Sequence, residues 1–340
     1  MSANDLPIQE LERYLKSHIE GFADLLSIDK FSGGQSNPSY KLNTATGAYV
    51  LRAQPPGELL KSAHQVDREY RVMQALANTS VPVPKMFHLA DGDNPLGRLF
   101  CVMEYLDGRV LWDPSLEDLN AGQRTAIYAE LSRVLAAIHS VDVDSAGLSD
   151  YGRPGNYFER QVGVWSRNYR ASVDEPDPGV ERLIAWLEQH MPADDGQVSL
   201  VHGDYRLDNV MFHAAEAQAI GVLDWELSTL GHPMADLAYQ CMQWRLPADG
   251  GMRGLGGVDR SALGIPTESE YLSLYCQHRG IEQPDNWSFY IAFSFFRLAG
   301  ILQGVYKRYL DGNASNPETA VKYGKTVPVL VALALEEIDA

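Results

Sequence analysis

Apolar residues recur at three- and four-residue steps from Ile8 through Leu11 and Leu15 to Ile19, a stripe that predicts a helix opening near Pro7 and stopping at Gly21. The runs then shorten. Segments 28–33, 39–42 and 49–53 are brief and separated by Gly, Asn and Thr, which predicts antiparallel strands. Helical period returns over 63–77, with Val66, Tyr70, Met73 and Leu76 expected on the buried side and Glu69 on a neighbouring face. Val81-Pro82-Val83-Pro84 breaks that helix, and two further strands are expected at 85–90 and 99–105, across the turn-rich Asp91-Gly92-Asp93-Asn94-Pro95.

Beyond Asp107-Gly108 the pattern is helical in long stretches: 119–139, 158–172, 180–190, 233–244, 268–278, 287–310 and 317–338. The expectation is an α+β chain with a sheet-rich part over 1–105 and a mainly helical part over 106–340, and a ligand cleft where they join. No internal repeat or low-complexity tract interrupts this reading, although 249–257 is a Gly-rich loop. No apolar run is expected to span a membrane.

Length and charge narrow the functional classes. A chain of 340 residues exceeds one compact core, which agrees with two lobes. The 28 basic against 45 acidic residues give a net charge of -17, which repels nucleic acid and anionic membranes and removes both as expected partners. Cys101, Cys241 and Cys276 form no CxxC and no zinc-type spacing, so a reducing cytoplasm is the expected location. The polar, acidic stretch 1–9 has no apolar core of a targeting segment. Oligomeric state leaves no trace in these residues.

The strongest chemical signal is Leu200-Val201-His202-Gly203-Asp204-Tyr205-Arg206-Leu207-Asp208-Asn209-Val210, followed by a short apolar strand and Val222-Leu223-Asp224-Trp225-Glu226. An Asp, an Asn five positions on, and a second Asp beyond a hairpin make up the pattern of a kinase catalytic core. Phosphoryl transfer spreads negative charge over the moving oxygens, so positioned carboxylates, an amide and cations are the groups it needs. An ordinary Asp-rich turn is the plain alternative.

These residues resemble the aminoglycoside phosphotransferase family, kinase-like enzymes in which His-Gly-Asp stands in place of His-Arg-Asp. The resemblance is closest to the phosphotransferase domain fused to certain acyl-CoA dehydrogenases, through segments 63–73, 202–212, 223–239, Tyr157-Phe158-Glu159-Arg160-Gln161 and 296–304. It implies a bilobal protein-kinase-like fold, with a small antiparallel-sheet N-lobe and a larger mainly helical C-lobe. It also implies ATP and Mg2+, and a small-molecule hydroxyl acceptor. Asp204 would orient and deprotonate that hydroxyl, Arg206 would offer a forked cation to the phosphate, and Asn209 and Asp224 would hold the metal. The subgroup suggests a hydroxylated acyl chain or acyl-CoA as acceptor. An aminoglycoside or amino-alcohol is the alternative, and a catalytically weak nucleotide-binding regulatory protein is the alternative from another class.

In the first part, Phe31-Ser32-Gly33-Gly34-Gln35-Ser36-Asn37 sits where a kinase keeps its phosphate-covering loop, so Gly33, Gly34, Ser36 and Asn37 are nucleotide candidates; a plain hairpin uses the same residues. Arg52 stands where a protein kinase has its Lys, with Glu69 as partner and Lys61 as a competing cation; a merely structural ion pair is the other reading. Glu104 and Tyr105 end the last strand, where main-chain groups could meet an adenine edge. Asp236 is expected to brace the catalytic loop or to cap its helix, and His202 to orient the loop. Arg160, Trp165 and Arg297 are candidates for acceptor contact, with packing as the alternative for each.

Overall fold

The computed structural model describes residues 6–31, 37–57, 64–249, 252–314 and 316–340. In chain order the elements are α1 (Ile8–His18), β1 (Leu25–Lys30), β2 (Ser39–Thr44), β3 (Gly47–Ala53), α2 (Val66–Leu76), β4 (Met86–Ala90), β5 (Phe100–Glu104) and β6 (Gly108–Val110). Then follow α3 (Ala121–His139), α4 (Tyr157–Ala171), α5 (Pro178–Gln189), β7 (Ser199–Val201), β8 (Val210–His213), β9 (Ala219–Val222) and β10 (Thr229–Gly231). The chain closes with α6 (Met234–Cys241), α7 (Arg260–Leu263), α8 (Glu268–Arg279), α9 (Trp287–Leu310) and α10 (Pro317–Asp339).

These elements form two compact units. The first gathers the described residues up to Val110 together with Asp144–Leu148 and Asn209–Ser228; the second holds Leu111–Val143, Ser149–Asp208 and Thr229–Ala340. The division therefore follows no single point in the chain. The reason is strand pairing: β6 at the end of the first stretch pairs antiparallel with β8, and β8 with β9, which draws the later hairpin into the first unit.

The core of the first unit is an antiparallel sheet in the order β1-β2-β3-β5-β4. Alternation fixes its register: Tyr40, Leu42 and Thr44 of β2 are buried while the residues between them are not. Leu11, Leu15 and Ile19 join Tyr40 and Leu42 in one cluster with Phe100 and Val102. Ile8, the first residue of the predicted stripe, is 44% exposed. On α2 the buried residues are Val66, Glu69, Val72, Met73 and Leu76, so Glu69 faces inward and Tyr70 only partly does. A carboxylate is tolerated there because a guanidinium meets it.

The second unit is helical, and the long segments read as helices from their period are helices. The 233–244 stretch divides into α6 and a 3-10 turn, Met242–Trp244. Capping explains where several begin: Asn120 and Gln123 form a capping box on α3, Thr267 and Glu270 do so on α8, and Asp177 caps α5 ahead of Pro178. Helix α9 packs against α4, α5, α6 and α10. By length and composition α9 is apolar enough to cross a membrane, contrary to the sequence expectation, but most of it is buried inside this unit.

Candidate active site

In the second unit, β7 pairs with β10 and delivers His202, Gly203 and Asp204 from its end. Gly203 has φ of 85°, a turn that a side chain would strain. Asp236, fully buried near the start of α6, accepts from both loop amides: His202 N–H at 2.6 Å on Oδ2 and Gly203 N–H at 2.8 Å on Oδ1. His139 Nε2 lies 3.3 Å from the same Oδ2, and Tyr275 Oη is 2.6 Å from His139 Nδ1. Burial holds His139 below the usual histidine range, so the neutral ring donates from Nε2 and accepts at Nδ1. Burial opposes the Asp236 charge, but His139, His202 and the Gly203 amide outweigh it and hold the carboxyl below its usual value. The loop is thus clamped by its N–H groups. Arg297 clamps it by a carbonyl: its Nη2 donates to Gly203 O at 2.8 Å.

Asp204 is held at one carboxylate oxygen. Tyr239 Oη donates to Asp204 Oδ1 at 2.7 Å, and Arg206 Nε forms an ion pair with the same oxygen at 3.3 Å. Arg206 also pairs with Asp208 Oδ2 at 3.1 Å. Burial disfavours the Arg206 charge, yet Asp204, Tyr239 and Asp208 overcome it and raise the guanidinium above its usual range. Beside these residues lies a hollow of about 380 Å³, lined by Arg206, Asp208 and Tyr239 with the aromatics Trp112 and Tyr323 and the apolar Leu246 among others.

In the first unit, hairpin β8–β9 pairs Val210 with Val222, and Leu223 N–H donates to Asn209 O at 2.8 Å. That closure sets Asn209 and Asp224 at the open end of one hairpin. Asp224 takes φ of 63°, a left-handed backbone that non-glycine residues seldom adopt. The next residue is anchored: Trp225 is fully buried and its Nε1 donates to Val222 O at 2.9 Å. Arg52 on β3 joins Glu69 and Asp224, Nε to Glu69 Oε2 at 2.7 Å and Nη2 to Asp224 Oδ1 at 2.7 Å. Burial works against the Arg52 charge, and Glu69, Asp224 and Glu226 together raise it regardless. Burial pushes the Glu69 carboxyl up to about 7, against the pull of Arg52.

Asn37 is buried and donates from Nδ2 to Glu226 Oε2 at 3.4 Å, while its Oδ1 lies 3.1 Å from His64 Nδ1. His64 itself has φ of 61°. Gly33, Gly34, Ser36 and Lys61 lie outside the described residues. Glu104 is exposed, and its N–H and its Oε2 are both engaged by Lys85, at 2.8 Å and 3.1 Å. The Tyr105 ring carries Lys41 Nζ at 3.8 Å from its centre.

Each acceptor candidate of the helical part has a partner within the fold. Arg160 gives its guanidinium to the carbonyls of Arg153 and Pro154, and Trp165 donates to Gln161 Oε1 and covers Gly300. Arg297 is 7% exposed and faces the loop. Sequence reasoning did not single out Tyr239, Trp112, His64 or Glu226 for these places. Tyr239 had a signal, since it follows Asp236 by one helical turn and shares its face. Trp112 had none.

Asn209 and Asp224 offer an amide oxygen and a carboxylate, hard donors that suit Mg2+. Among the described residues no three His, Cys, Asp or Glu side chains gather as a metal cage.

The antiparallel sheet of the first part and the helices of the second define a kinase-like α+β fold. The crystal structure of spectinomycin phosphotransferase in complex with ADP and spectinomycin has the same fold, with TM-score 0.65 at 14% identity over 98% of this chain and 99% of that one. The chain belongs to the phosphotransferase enzyme family (APH), which it matches over residues 27–268. A Ralstonia eutropha protein provisionally named an aminoglycoside phosphotransferase is 49% identical, with TM-score 0.89 over 97% of each chain. Mouse acyl-CoA dehydrogenase family member 10 is 47% identical over 334 residues, 97% of this chain and 31% of that protein. The chain therefore spans about a third of this mouse relative.

Proposed function

We propose that this phosphotransferase moves the γ-phosphoryl group of ATP to a hydroxyl of a small molecule, and that Asp204 is its base. The observation that carries this reading is the tethering of Asp204 by Tyr239 and Arg206, on a loop clamped by Asp236. A general base must keep a fixed orientation toward the proton it accepts, and this carboxylate is oriented by a phenol and a guanidinium at once. Asp204 would take the hydroxyl proton while the oxygen forms its bond to phosphorus, with ADP as leaving group. Arg206, already drawn to Asp204 and Asp208, would stabilise the equatorial oxygens.

On the nucleotide side we assign Arg52, Glu69 and Asn37, with Gly33, Gly34 and Ser36 of the Gly-rich loop and the main chain of Glu104 and Tyr105. At Glu104 the N–H is engaged by Lys85, so adenine recognition there falls to other main-chain groups. Asn209 and Asp224 would hold Mg2+, which when bound shields the phosphate charge. The free, buried cysteines agree with a reducing compartment, and we place the protein in the cytoplasm.

For the acceptor we favour a hydroxylated acyl chain or its CoA ester over an aminoglycoside. The relationship to the acyl-CoA dehydrogenase family member supports this, and so do the apolar and aromatic walls of the hollow beside Tyr239, with Trp112, Met242, Leu246 and Met252 among them. The test is ATP consumption with hydroxy acids, hydroxyacyl-CoAs, aminoglycosides and amino alcohols, by the unaltered protein and by Asp204→Ala. We expect a loss of about a hundredfold or more on substitution. Equal turnover by the two defeats the assignment. ATP binding without turnover on any acceptor points instead to a nucleotide-binding regulator.

A further inference from the structure

We propose that Tyr239 is a positioning residue that holds Asp204 aligned at the wall of the acceptor hollow. The inference rests on the reading of Asp204 as base and adds to it. Three contacts meet at this one side chain. Its hydroxyl donates to Asp204 Oδ1 at 2.7 Å. Its ring forms part of the wall of the 380 Å³ hollow, in company with Arg206 and Trp112. The Arg297 guanidinium lies 5.6 Å from the ring centre while donating to Gly203 O at 2.8 Å.

The physical consequence follows from these contacts together. Tyr239 is 6% exposed, so its ring has a defined place and an acceptor seated in the hollow presses on a fixed surface. Burial first, and the Asp204 charge next, push the phenol above its usual range; it keeps its proton and remains a donor. A hydrogen bond from a neutral donor to a carboxylate is strong and directional where water is excluded. Arg206 approaches the same Oδ1 as an ion pair, so its charge favours the carboxylate position that the Tyr239 hydrogen bond sets. Arg297 holds the tyrosine ring and the loop carbonyl with one guanidinium, which keeps Tyr239 and Asp204 in register. An acceptor that fills the hollow against the ring thereby meets an aligned base.

The test uses the full chain with Mg2+ and ATP, each acceptor of the panel above, and water as the acceptor of last resort. Tyr239→Phe keeps the ring and loses the donor. We expect kcat to fall by about tenfold or more, with the acceptor KM within about twofold, and the acid limb of the kcat/KM profile to move to higher pH. Tyr239→Leu, which also removes the wall, is expected to raise the acceptor KM as well. Tyr239→His, with a ring and a donor, is expected to recover part of kcat. Unchanged kcat and pH profile in Tyr239→Phe overturn the inference, as does a fall in kcat matched only by a lower melting temperature. Failure of the underlying reading looks different: Asp204→Ala then turns over like the unaltered protein, or no acceptor, water included, is phosphorylated by any form.

Discussion

Arg52 Nη2 meets Asp224 Oδ1 at 2.7 Å across 172 positions of chain, while its Nε reaches Glu69. One guanidinium thus serves a buried carboxylate and the carboxylate that follows the β8–β9 hairpin, both inside the first unit. The side chains of Arg52 and Glu69 are 14% and 2% exposed, so little water is available to replace either partner.

Arg52→Ala should therefore be costly. It leaves the buried Glu69 carboxyl without its guanidinium, so a loss of stability is expected that grows as pH rises and that carboxyl must ionise. Denaturant unfolding followed by circular dichroism measures this. The double substitution Arg52→Ala with Glu69→Gln should recover much of the loss, because no buried charge is then left alone.

Glu69 also sets a pH dependence. Its folded value, about 7, lies above the 4.5 of an unperturbed glutamate. The folded protein binds the proton more tightly than the unfolded chain, so this contribution is fully present below about pH 4.5 and is lost as pH rises toward 7. Unfolding midpoints from pH 4.5 to 8 should fall with rising pH more steeply in the unaltered protein than in Glu69→Gln. Parallel curves contradict the assignment.

Asp236→Ala removes the acceptor of two loop amides and the partner of His139. A loss of about 3 kcal/mol is expected, along with a drop in turnover as the loop loosens. Asp236→Asn, which keeps one acceptor oxygen, should cost less in both. Calorimetry and the turnover assay separate the two effects.

Gly254→Ala tests the wall of the hollow. A Cβ at this position would stand 2.1 Å from Leu246 O and 2.4 Å from Leu246 Cβ, and Leu246 lines the hollow. The segment must shift, so the acceptor KM should rise while the KM for ATP stays within about twofold; overpacking of this kind costs about 1–3 kcal/mol of stability. Steady-state kinetics with each substrate varied in turn is the check.

Much of the secondary structure was legible because long periodic stretches leave a strong signal: α9 spans the residues its pattern predicted, and α10 differs by one. The short strands were not. β6, β7 and β10 have three residues each, too few for an alternation to show, and their existence depends on partners elsewhere in the chain. The burial of Glu69 was missed for a related reason: an isolated helix face predicts solvent for a carboxylate, and only Arg52 from β3 reverses that.

The sequence by itself determined the candidate chemistry that lies close along the chain. Asp204 and Asn209 share one loop, Asp224 follows one hairpin later, and spacing of that kind is visible without coordinates. The tertiary structure decided which groups surround each of them. Tyr239 beside Asp204, Arg297 behind the loop, and Arg52 on Asp224 come from helices and strands distant in sequence. Local pattern records the face a residue turns from its own element; the neighbour that meets it is set by how the elements pack, and no single segment carries that information.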